Sequence, residues 1–85
     1  MNYKEVYRRF FDFTDGEYVP CEVCAKPASD IHHIVFRSRK KDDTIGNLIG
    51  LCRSCHNKAH FKETPYLQEK ELFDIHLKHI QKHNS

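Results

Sequence analysis

The sequence has no tryptophan, and only 39% of its 85 residues are apolar, so the core that it can assemble unaided is small. Chains of this size commonly lean on a bound metal or on disulfides to stay folded. Long hydrophobic runs are missing as well: no stretch approaches the roughly 20 apolar residues that a bilayer crossing needs, and Met1 to Glu5 carries no apolar segment of a secretory signal. These absences argue against a membrane partner and give the expectation of a cytoplasmic, reducing location. No repeat, linker or low-complexity tract interrupts the chain, which points to one domain over 1–85. A strong net charge is also lacking, since the formal value is +2 with a pI near 8.4.

The charge that is present is unevenly placed. Residues 31–62 carry Arg37, Arg39, Lys40, Lys41, Arg53, Lys58 and Lys62 against only Asp42 and Asp43, an excess of +5, while 1–30 sums to −2 and 63–85 to −1. Concentrating positive charge in the middle third gives that region a field that attracts polyanions.

All four cysteines fall into two identical pairs, Cys21-x-x-Cys24 and Cys52-x-x-Cys55, with 27 residues between them. Each pair can chelate one ion through a tight turn, and four thiolates close a tetrahedral zinc shell, which makes that metal structural. A reducing location favours thiolate ligation over cystine. No thioredoxin-like context surrounds either pair, so a redox role is disfavoured.

Tyr3, Val6, Tyr7 and Phe10 recur at helical spacing, with Asn2 and Glu5 placed as a capping box, so an amphipathic helix is expected to run towards Thr14–Asp15–Gly16. Residues 18–28, with Pro20 and Pro27, read as a zinc knuckle in irregular structure. A strand over 30–36, a basic loop over 37–46 and a strand over 47–51 are expected to form a hairpin. Residues 53–62 read as a helix. Thr64 and Pro65 read as the N-cap and first position of a terminal helix. Leu72, Phe73, Ile75, His76, Leu77, His79 and Ile80 supply that helix's packing face.

His56 and His60 lie four apart, so on a helix they share one face and can grip one cation. His32 and His33 are neighbours on a strand, where successive side chains point to opposite faces. One ring can therefore join a metal cluster while the other addresses something else. His76, His79 and His83 also show helical spacing but lie outside any cysteine or carboxylate framework, and they read as a polar helix face. Tyr3, Tyr7, Phe10 and Phe11 invite a base-stacking reading, but their period indicates core packing against the terminal helix.

Taken together, Cys-x-x-Cys, Ile-His-His-Ile and Asn-Leu-Ile-Gly-Leu-Cys-x-x-Cys-His-x-x-x-His resemble the HNH endonucleases over residues 21–60. The resemblance implies a small α+β, zinc-stabilised domain: a ββα-metal, treble-clef-like finger over 21–60 with helical flanks at 1–20 and 61–85. It implies that His33 is similar to the general base and Asn47 to the residue bracing the loop that holds the base. His32, His56 and His60 look like the ligands of one catalytic divalent ion. Many members carry Asp where this chain has His32; the histidine resembles the colicin-type variant, which leaves Mg, Mn, Ni and Zn all open as the catalytic metal. Relatives of this look occur in phage and restriction contexts.

Those roles suit the chemistry. Phosphodiester hydrolysis must generate hydroxide and neutralise oxygen charge, and an imidazole with an ordinary pKa of about 6.5 suits the first task. A cation with open positions performs the second, and an all-histidine shell favours borderline metals in binding. The expected partner is double-stranded DNA, held through its phosphates by Arg37, Arg39, Lys40, Lys41, Arg53 and Lys58; a homodimer is compatible with the sequence. The competing reading is a non-catalytic zinc module binding nucleic acid, which needs neither His33 nor Asn47.

Overall fold

The computed structural model describes residues 2–14, 16–36, 41–60 and 66–84. Helix α1 spans Tyr3–Phe10. The Asn2 side chain caps it, its Oδ1 accepting from the Glu5 N–H at 3.0 Å while its Nδ2 donates to Glu5 Oε1 at 3.3 Å. The helix stops earlier than the sequence suggests, because Asp12 turns left-handed at φ 61°. The Asp12 and Phe13 N–H groups then close on the Arg9 and Arg8 carbonyls at 3.3 and 2.8 Å. That pair of bonds is a Schellman cap, with an aspartate where glycine is usual.

The knuckle that follows is more regular than expected. Pro20 and Pro27 form an isolated bridge, and Cys21 N–H donates to the Lys26 carbonyl at 2.7 Å. Ala25, left-handed at φ 68°, closes the turn back to the Cys21 carbonyl at 2.8 Å.

Strands β1 (Asp30–His33) and β2 (Leu48–Leu51) pair antiparallel, with Ile31 opposite Gly50, His32 opposite Ile49 and His33 opposite Leu48. Both are shorter than the sequence reading. Residues 34–36 leave the ladder, and Asn47 closes a 3₁₀ turn at Ile45–Asn47 rather than opening β2. Every residue of β2 is buried. Leu48 belongs to the cluster formed with Tyr7 and Val19 beneath α1, whereas Ile49 and Leu51 belong to the cluster with Ile34, Ala59, Leu72, Cys21, Cys52 and Cys55. Alternation along the strand thus feeds two cores. Gly50 is required on the first face: a Cβ there would meet the Tyr7 hydroxyl at 3.0 Å.

Helix α2 spans Arg53–His60, so the expected extension to Lys62 falls outside the described residues. Helix α3 spans Glu69–Asn84. Its start corrects the placement of the helix at Pro65, since 66–68 are non-helical and the first turn closes with Leu72 N–H on the Gln68 carbonyl at 3.0 Å; Thr64 and Pro65 themselves lie outside the described residues. Its face differs too. Leu72 and His76 are buried, but Phe73 is 38% and Leu77 53% exposed. His76 is therefore no part of a polar face. It is a core residue, because a buried acid, Glu22, lies opposite it. The aromatic cluster does pack on α3, Phe11 lying edge-on to His76 and His83. The whole is an α+β arrangement in which β1, β2 and α2 make a ββα finger flanked by α1 and α3.

Candidate functional site

The knuckle and the N-terminal turn of α2 bring the four cysteines together, each offering a sulfur within 4.8 Å of the other three. Cys24 and Cys52 sulfurs are 3.6 Å apart, and all four cysteines are free thiols. Burial pushes the Cys52 thiol up, but the Cys55 N–H and neighbouring thiols outweigh it and bring Cys52 down to about 7. Cys55 moves the opposite way, raised by burial and by its sulfur neighbours. Crowded sulfurs cannot all ionise without a cation among them, so this donor set is positioned for a metal.

The strand alternation then separates the two adjacent histidines. His32, buried and opposite Ile49, turns to α2, where its ring lies 5.1 Å from that of His56 and 6.3 Å from that of His60. The three rings each offer a nitrogen within 4.8 Å of the other two. Burial, reinforced by the neighbouring imidazoles, lowers His32 to about 4. Burial also lowers His56. Near neutral pH, His32 therefore presents a lone pair with no proton to displace, as a metal ligand must. His56 Nδ1 is buried without a hydrogen-bond partner among the described residues, and the Asp30 carboxylate lies 3.7 Å away.

His33 turns towards α1, its ring 4.5 Å from that of Tyr3, and its Nε2 lies 2.7 Å from Asp43 Oδ1. Both histidines nevertheless border one cleft of about 420 Å³, which runs along all of β1; Tyr3, Asp30, His56 and His60 also line it. Asn47 is buried behind this edge. Its Oδ1 accepts from the Val35 N–H at 2.8 Å, and its Nδ2 donates to the Val35 and Asp42 carbonyls at 3.2 and 2.9 Å. One side chain thereby ties together both ends of the loop between β1 and the 3₁₀ turn.

The expected basic surface is only partly described. Arg37, Arg39, Lys40 and Lys62 lie outside the described residues. Lys41 and Arg53 are exposed and Lys58 half-buried, and among the described residues no lysine or arginine lines the cleft.

Three residues beside the cleft had no signal that singled them out. Tyr3 carries the period of a core position, Asp43 sits in a run of turn formers, and Asp30 merely opens a strand. Among the described residues, no helix is long and apolar enough to cross a membrane. Residues 21–62 match the family model described as HNH endonuclease. No curated protein and no solved structure matches the chain.

Proposed function

Through residues 21–62 the chain belongs to the HNH endonuclease family, and from that premise we propose that it is a metal-dependent endonuclease hydrolysing phosphodiester bonds of double-stranded DNA. The observation that carries the reading is the joint opening of His33 and of the His32, His56 and His60 cluster onto one cleft.

The groups present fit two different ions. Four sulfurs make a closed shell suited to structural Zn²⁺. Three imidazoles, one with an orphaned buried nitrogen, make an open shell suited to one catalytic divalent ion, with Mg, Mn, Ni and Zn as candidates. When bound there, that ion supplies positive charge against the phosphate oxygens.

The protein's own part is proton handling and placement. His33 takes the proton of a water molecule, whose oxygen attacks phosphorus from the side opposite the 3′ oxygen. The P–O3′ bond breaks, leaving a 5′-phosphate and a 3′-hydroxyl. Neutral imidazole suits this near pH 7, and a well-placed general base contributes about 10²- to 10⁴-fold. Asn47 supports the step by holding the cleft edge that carries His33. Arg37, Arg39, Lys40, Lys41, Arg53 and Lys58 supply phosphate contacts, which position a duplex without reading its sequence.

Supercoiled plasmid incubated with the zinc-loaded chain and a panel of Mg, Mn, Ni and Zn ions tests this directly. Conversion to open circle or linear product is expected with at least one ion, and His33→Ala should abolish it while keeping zinc content and melting temperature. Binding without cleavage under every ion would instead support a non-catalytic nucleic-acid module.

A further inference from the structure

Beside the cleft stands a carboxylate with a defined partner. Asp43 Oδ1 lies 2.7 Å from His33 Nε2, a distance typical of a charge-assisted hydrogen bond. The His33 side chain is 10% exposed and that of Asp43 38%, so the imidazole is largely covered while its carboxylate partner reaches solvent. A carboxylate only accepts hydrogen bonds, so the shared proton belongs to Nε2. In the neutral imidazole the other nitrogen, Nδ1, then carries no proton.

The backbone around Asp43 is held on both sides. The Asp42 carbonyl accepts from Asn47 Nδ2 at 2.9 Å, and the Asp42 carboxylate accepts from the Thr44 N–H at 3.0 Å. The same Asn47 amide grips Val35, two residues beyond His33. Asn47 therefore fixes the separation between the strand that carries the imidazole and the segment that carries its carboxylate. The Tyr3 ring, 4.5 Å from the imidazole, restricts its rotation from a further side.

We infer that Asp43 is a positioning residue, with Asn47 holding it in place, that fixes His33 as the Nε2–H tautomer and leaves Nδ1 to act as the base. The inference rests on the assignment of His33 as the base. In the reaction, the water proton moves to Nδ1, the hydroxide oxygen bonds to phosphorus, and the 3′ oxygen departs with its electron pair and takes a proton from solvent water to become the 3′-hydroxyl. The imidazolium that results is countered by Asp43, which keeps its own charge throughout.

The test uses the full zinc-loaded chain with ¹⁵N-labelled histidine. Long-range proton–nitrogen spectra should show His33 as the Nε2–H tautomer in the wild type, and as a mixture in Asp43→Asn, whose amide both donates and accepts. With a duplex oligonucleotide, Asp43→Asn should lower kcat about 10- to 100-fold, in line with other orienting partners, while KM stays within about twofold. Asp43→Glu, which keeps the charge, should recover part of that loss. An Nδ1–H tautomer in the wild type overturns the inference whether or not the variants fold. An unchanged tautomer in Asp43→Asn overturns it too, as does full kcat in a variant whose tautomer has changed. Should the wild type show the expected tautomer yet cut no DNA under any ion, the nuclease reading fails and the Asp43–His33 assignment stands.

Discussion

Glu22 and His76 lie 54 residues apart in the chain, yet Nδ1 of the imidazole sits 2.9 Å from one carboxylate oxygen and 3.0 Å from the other. Their side chains are only 1% and 2% exposed. The Tyr7 hydroxyl donates to the same carboxylate at 2.5 Å, and His76 Nε2 lies 2.6 Å from the Ile45 carbonyl. The cluster joins α1, the knuckle, the 3₁₀ turn and α3, so it anchors both flanking helices to the finger.

Removing one member should therefore cost far more than an exposed ion pair would. His76→Ala leaves the Glu22 carboxylate buried without its main partner and should destabilise the zinc-loaded chain by about 3 kcal/mol or more. Urea unfolding monitored by circular dichroism measures this. A loss below about 1 kcal/mol, the scale of a surface pair, would show that the cluster does not hold α3 in place.

Alkaline titration reports on the same cluster. Burial, then the adjacent Glu22 carboxylate, raises the Tyr7 phenol above its ordinary value. Because the folded value exceeds that of the unfolded chain, the stabilisation is complete below about pH 10 and is lost as pH rises past it. Absorbance at the phenolate wavelength should show one of the four tyrosines ionising only together with unfolding. Tyr7→Phe should abolish that late phase.

Zinc and folding should form one equilibrium, since sulfurs from the knuckle and from α2 meet at a single point. A chelator, or Cys55→Ser, should collapse the helical signal along with zinc loss. Loading zinc near pH 7 should release protons, as the raised Cys55 thiol must ionise to bind. A zinc-free variant that retained the native helical signal would separate the two.

Tyr3 should matter to cleavage more than to stability. It is half-buried at the start of α1 and packs on His33, so Tyr3→Ala frees the imidazole to rotate. Misplacing a reacting group by about 1 Å costs up to about a hundredfold; a kcat loss of about 10- to 100-fold with zinc content unchanged is expected. Plasmid nicking rates at saturating DNA would measure it.

What could be read from the sequence followed short-range stereochemistry. The Asn2 cap, the hairpin, α2, the two cysteine pairs and the shared face of His56 and His60 follow from spacings within a turn, a strand or a single pair, whereas the place of His32 beside that face is implied by the resemblance to the HNH endonucleases. Contacts between distant segments carried no such period. Glu22 reads as a surface acid in a knuckle until α3 brings His76 onto it, Tyr3 meets His33 only once α1 is docked, and Asp43 meets it only through the fold of the loop after β1. Helix α1 ends short of the expected Thr14–Asp15–Gly16 for a local reason: Asp12 takes a left-handed conformation that closes the helix.

The pairing of His32 with Ile49 and of His33 with Leu48 has one more outcome. Side-chain direction along a strand depends only on whether a position is odd or even, so a frame shift of one residue would exchange the sides to which the two imidazoles turn, one facing α2 and the other α1. Deleting a single amino acid ahead of them in β1 would keep both imidazoles and still dismantle the three-histidine cluster, because parity in the ladder decides which ring joins His56 and His60.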